Sequence, residues 1–205
     1  MTAPIYHPDD CLTSLRSGNR CRVCCTTITS HALRVGGYCG GISCTNYAGA
    51  DEDFRQFLVW CCLLQDFFKW WCKQRVPTRS WQPQNDLSAH NAWWWEMINV
   101  FHKQCEWSLA RLAPHLQTFL AGGNRGITRI REIKFDSGPY YRYRHCAFEI
   151  HFASHGCWIY DPTGVQFGPD WPLLSPRHIY FACRPERRLL SSEPLGNNRQ
   201  LLMST

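Results

Sequence analysis

Apolar and polar positions alternate most regularly in the second half of the chain. Cys146, Phe148, Ile150 and Phe152 fall on one face at period two, and His145, Ala147, Glu149 and His151 on the other, which predicts a strand. Ala153 to Gly156 supplies a turn, and Cys157-Trp158-Ile159-Tyr160 returns as a short apolar strand that Pro162 ends. Upstream, isoleucines alternate with arginines from Ile127 to Phe135, predicting a half-buried strand closed by a turn at Asp136 to Pro139. A last strand is expected from Ile179 to Cys183, carrying Tyr180.

Helical periodicity dominates the first half. Asp51 to Arg75 places Phe54, Phe57, Trp60, Cys61, Leu64, Phe67, Phe68 and Trp71 in one broad stripe, acidic at the start and basic at the end. Its apolar run from Phe57 to Leu64 is too short to span a bilayer, which leaves attachment to a membrane surface open. A second helix, capped by Asp86 or Ser88, is expected to run through Trp93-Trp94-Trp95 and Met97 to about Leu109, with Pro114 breaking or restarting it. Ala121-Gly122-Gly123-Asn124 is a stop. Nearer the N-terminus, Cys21, Cys25, Ile28 and Ala32 recur at helical spacing until Gly36-Gly37. The β-branched run at Thr26 to Thr29 opposes that helix.

The chain has 205 residues, 44% hydrophobic and 19% charged, which suits one globular domain. That domain is expected over 1–184, with a helical insertion at about 51–121 and a polar tail at 185–205. The net charge of +6 draws on Arg184, Arg187, Arg188 and Arg199, so it reads as a solvated tail. Arg129, Arg131, Arg142 and Arg144, interleaved with tyrosines, would suit single-stranded nucleic acid, but a solvent-facing strand explains them as well. Thirteen cysteines follow a Met1–Asp10 segment with no basic or apolar signal features. The expectation is reduced thiols, in the cytoplasm or after export by a route without a cleavable signal peptide.

Chemistry concentrates at His145 and Asp161, which the hairpin brings to one end of the sheet. An imidazole held by a carboxylate lacks only a nucleophile. Cys21 is the candidate, since a thiol in a helix's first turn meets the dipole and free N–H groups, with Arg20 and Arg22 adding positive charge. A tight turn at Ser154-His155 would place His145 opposite Gly164, so the His–Asp contact predicts a bulge between Phe152 and Ile159. With a regular hairpin, Asp161 becomes a turn residue, and Glu149 or Gln166 the next group to orient the ring. Separately, Cys21, Cys24, Cys39 and Cys44 have the spacing of a zinc ligand set.

Cys21-x-x-Cys24-Cys25, followed by Ile28, Ala32 and Gly36, resembles the nucleophile helix of papain-fold toxin domains. HCAFEI…CWIYDPTG is similar to the His and Asp strands of the same families, and of transglutaminase-like domains. The resemblance implies an α+β, papain-like fold, in which an N-terminal nucleophile helix and a helical insertion pack on a C-terminal antiparallel β-sheet. It implies Cys21 as nucleophile, His145 as general base and Asp161 as the residue orienting it, with Asn19 the nearest amide for an oxyanion hole. The activity implied is cofactor-free attack on an amide of a protein or peptide, as a thiol protease, deamidase or transglutaminase-like enzyme, in a toxin or effector. Two alternatives stand beside it: a zinc-stabilised binding module on Cys21, Cys24, Cys39 and Cys44, and an inactive papain-like scaffold with Trp93 to Trp95 at an interface.

Overall fold

The computed structural model describes residues 52–75, 89–122, 126–136, 144–167, 173–182 and 188–203. Among the described residues three helices come first: α1 (Glu52–Lys73), α2 (Ala89–Phe101) and α3 (Cys105–Ala121). Strands β1 (Ile127–Asp136), β2 (Arg144–Phe152) and β3 (Gly156–Tyr160) follow, then a 3-10 turn at Gly164–Phe167. The chain continues through β4 (Leu174–Pro176), α4 (Arg177–Ala182), β5 (Leu189–Pro194) and α5 (Asn197–Met203). The five strands make one antiparallel sheet in the order β4-β3-β2-β1-β5. The class is therefore α+β, as expected. None of the described helices is long and apolar enough to cross a membrane.

The alternation in β2 sorts its side chains onto two cores. Cys146, Phe148, Ile150 and Phe152, with Ile130, Trp158 and Tyr160, pack against Phe57, Cys61, Leu64 and Phe68 of α1 and Leu109, Leu112 and Leu116 of α3. Each such apolar side chain removed from water contributes about 1.5–3 kcal/mol. On the opposite face Ala147 joins Ile133, Phe135, Ile159 and Tyr180 in a smaller cluster, with Phe181 packed against it. Buried polar contacts tie α1 to the end of β3: Tyr160 Oη donates to the Cys61 carbonyl at 3.1 Å, and Gln65 Nε2 to the Pro162 carbonyl at 2.8 Å.

Three sequence expectations change. The helix expected to run to about Leu109 stops at Phe101, because Lys103 takes a left-handed φ of 57°, and α3 starts afresh at Cys105. Pro114 then lies inside α3 instead of breaking it. Secondly, Tyr180 belongs to the short helix α4 and not to a strand. Thirdly, the chain beyond 185 is not all polar tail, since Leu189–Pro194 pairs along β1 as the edge strand and Asn197–Met203 folds as α5.

Glu132 explains how such a polar segment is held. Its carboxylate, fully buried within β1, accepts from the Gly196 and Asn198 backbone N–H groups, both at 2.8 Å, and from Asn198 Nδ2 at 2.7 Å. Gly196 has a φ of 96°, which favours glycine, and a Cβ there would also push the Gln117 amide end, 2.8 Å away, aside. Glu132→Ala strands three donors, and should lower unfolding free energy by about 3 kcal/mol in urea titrations. Amide exchange should rise first at residues 189–203; exchange rising evenly over the sheet would contradict this anchoring role.

Candidate active site

His145 is the second residue of β2, and Asp161 follows the last residue of β3. The hairpin between them is regular, pairing Phe152 with Gly156 and Phe148 with Tyr160 without a shift. The expected bulge between Phe152 and Ile159 is therefore not there. Its place is taken by a three-residue turn, Ala153 to His155, after which Gly156 adopts a φ of 71°. Continued by one residue, this register sets Asp161 opposite Ala147, so that His145 is its diagonal neighbour on the same face. The tighter turn would have set Asp161 opposite Phe148, in the other core. A diagonal pair is within reach of a long side chain.

The contact is short and dry. His145 Nε2 lies 2.9 and 3.0 Å from the two Asp161 oxygens, and both side chains are almost completely buried. Tyr180 Oη donates to Asp161 Oδ2 at 2.6 Å, and the Thr163 backbone N–H to Oδ1 at 3.2 Å. Asp161 thus holds the imidazole and caps the turn after β3 at once, two roles that the sequence had set as alternatives. Phe135 packs edge-on against the His145 ring, 5.3 Å between centroids. Glu149 and Gln166, the substitute orienting groups, are engaged elsewhere: Glu149 with His151 and Arg177, and Gln166 Nε2 with the Thr163 carbonyl.

Nε2 is committed to Asp161, so a thiol could meet this ring only at Nδ1. Among the described residues the thiol that His145 influences most is Cys105, whose pKa both Cys146 and His145 pull down. Its Sγ also lies 3.9 Å from the Arg144 carbonyl. Cys105 opens α3, and the preceding Gln104 makes no capping bond, its amide donating instead to the His102 carbonyl. The N–H groups of the first turn therefore have no side-chain cap. Sequence reasoning missed Cys105 by running the preceding helix through it. The signal was the polar His102-Lys103-Gln104 interruption, after which apolar spacing restarts at Leu109, Leu112 and Leu116. Cys21, Asn19, Cys24, Cys39 and Cys44 lie outside the described residues.

Electrostatics separate Cys105 from its fellow thiols. The Cys146 hydrogen bond brings its pKa down against the effect of burial, and the bond and charge of His145 add to this, leaving it at about 5. Burial by itself would lower His145, but the charge and hydrogen bond of Asp161, with Cys105 behind them, outweigh it and raise the imidazole to about 9. Cys146 moves upward, through its bond to Cys105 and burial, and so stays a protonated donor. Burial pushes Cys72 to about 12 and, with Glu149, Cys157 to about 11.

Comparison of the chain with protein-family models, with curated proteins and with solved structures finds no match. What the site can do has to be read from its own chemistry.

A thiolate persists above pH of about 5 and an imidazolium below pH of about 9, so the charged pair spans the interval between. Iodoacetamide at pH 6 should accordingly label Cys105 far ahead of Cys72 and Cys157, with mass spectrometry reading the sites. Asp161→Asn removes the charge that raises His145, and a one-unit rise in the Cys105 pKa should slow this labelling about twofold at pH 6 and about tenfold at pH 4. Labelling of Cys105 at pH 6 no faster than of Cys157 would show that the pair does not form.

Proposed function

We propose that the protein is a cysteine-dependent hydrolase or acyltransferase of amide bonds, with Cys105 as nucleophile, His145 as acid and base, and Asp161 as the positioning carboxylate. The observation that carries this reading is the buried relay Tyr180–Asp161–His145, with the partly buried Cys105 at the start of α3 electrostatically linked to His145. In the reaction the Cys105 thiolate adds to the carbonyl carbon, and the carbonyl π pair moves onto oxygen. The first turn of α3, which has no side-chain cap, would supply N–H groups to such an oxyanion. The His145 proton passes to the leaving nitrogen, the C–N bond breaks, and a thioester remains. Water, deprotonated by His145, then adds to the thioester and expels the thiolate. An amine in place of water gives acyl transfer.

The papain-like resemblance supports the same order of roles, a thiol at a helix start followed by His and Asp on successive strands, and with it a protein or peptide substrate and an effector-type role. It nominates Cys21 where the geometry nominates Cys105.

The test is product analysis on a glutamine-containing protein such as casein. New amino termini indicate a peptidase, released ammonia a deamidase, and ammonia with incorporation of an added amine a transglutaminase. His145→Ala should abolish the product, and so should Cys105→Ala. Loss in Cys21→Ala with retention in Cys105→Ala would move the nucleophile to Cys21 and leave the reaction class standing. Activity surviving His145→Ala would overturn the proposal.

A further inference from the structure

The face of β2 that carries His145 holds a second group of donors four to six residues further along, about 13–20 Å away at a strand's rise. Glu149 and His151 lie on that face of β2, and Cys157 pairs with His151 from β3. One oxygen of Glu149, one ring nitrogen of His151 and the Cys157 sulfur all lie within 4.8 Å of one another. Glu149 Oε1 is 2.8 Å from His151 Nε2, and Cys157 Sγ is 3.8 Å from the same nitrogen. Glu149 is nearly buried, His151 and Cys157 are half-buried, and the cluster is open to solvent on one side.

The hydrogen bonding of this cluster conflicts at His151 Nε2. The Arg129 guanidinium, a donor, approaches it at 3.2 Å, while the Glu149 carboxylate, an acceptor, sits at 2.8 Å. A ring nitrogen carries either a lone pair or a proton, so it serves one of them only. A cation on that lone pair removes the conflict, because it draws the carboxylate and the thiolate to itself and leaves exposed Arg129 free to turn to solvent.

We propose that Glu149, His151 and Cys157 form a zinc site with its fourth position open to solvent. Tetrahedral zinc with bonds of 2.0–2.3 Å keeps its ligand atoms roughly 3.3–3.8 Å apart, which the 3.8 Å Cys157–His151 separation meets and the 2.8 Å Glu149–His151 separation would reach by opening about 0.5 Å. A thiolate beside an imidazole favours zinc over magnesium or calcium. The thiolate and the carboxylate balance the ion's two charges. Arg177 Nε holds the other Glu149 oxygen, Oε2, at 2.8 Å, which orients Oε1 toward the ion. This set shares no residue with the Cys21, Cys24, Cys39 and Cys44 spacing.

The test is a titration of the metal-free full chain with Co2+ and Zn2+ alone, followed through the thiolate-to-cobalt absorption. Cys157→Ser and His151→Ala should each bind one equivalent fewer than the parent, whereas Cys21→Ser with Cys24→Ser should keep that equivalent. Cys157→His, which restores a ligand, should regain it without its share of the thiolate band. Arg177→Gln should weaken the same equivalent by about 10–100-fold. Equal stoichiometry and affinity in the parent, Cys157→Ser and His151→Ala would overturn the site. Loss of the equivalent in Cys157→Ser that Cys157→His fails to restore, with the fold intact by circular dichroism, would overturn the ligand role of Cys157.

Discussion

A carboxylate that is almost wholly out of water has to be repaid by donors, and those Asp161 collects include an imidazole, a phenol and a backbone N–H. Each donor comes from a different element, so satisfying this one charge fixes β2, α4 and the turn after β3 against one another. Removing a single partner would leave a buried charge short of a bond, which costs more than the bond contributes when present. The smaller hydrophobic cluster around Phe135 and Tyr180 is thus organised about a polar centre. Its aromatic rings exclude the water that would otherwise compete for the carboxylate.

The same thiol chemistry takes different forms according to surroundings. Cys61 and Cys72 are fully buried and act as small apolar groups in the helical core. Cys146 stays protonated and donates. Cys105 alone among these opens a helix and has its pKa pulled down by the neighbouring Cys146 and His145. A count of cysteines says nothing of this, because it depends on which neighbours folding delivers.

Much of the sheet was legible in sequence. Strict alternation from His145 to Phe152 gave both faces of β2, and the placing of His145 and Asp161 at one end of the hairpin followed from it. Other parts were hidden for physical reasons. Lys103 breaks a helix with a left-handed conformation that lysine rarely adopts, so no glycine or proline marked the start of α3 and the place of Cys105 went unseen. Arg177–Ala182 is too short for helical periodicity to show, and its apolar run reads equally as a strand. Leu189–Pro194 is polar at its centre, and its pairing rests on Glu132, a long-range partner that no local pattern reveals.

The geometry of the hairpin sets what later change in the chain can be absorbed. His145 stands seven residues before Phe152, and Asp161 five after Gly156, the pair that closes the ladder. Both counts are odd, so both side chains emerge on the face opposite Phe152. The turn beyond that pair enters neither count. Residues can therefore be gained or lost among Ala153 to His155 with the dyad intact. A single deletion inside either strand would instead carry the carboxylate or the imidazole through the sheet into the helical core. The hairpin tip is free to diversify, while the lengths of its two legs are fixed in steps of two.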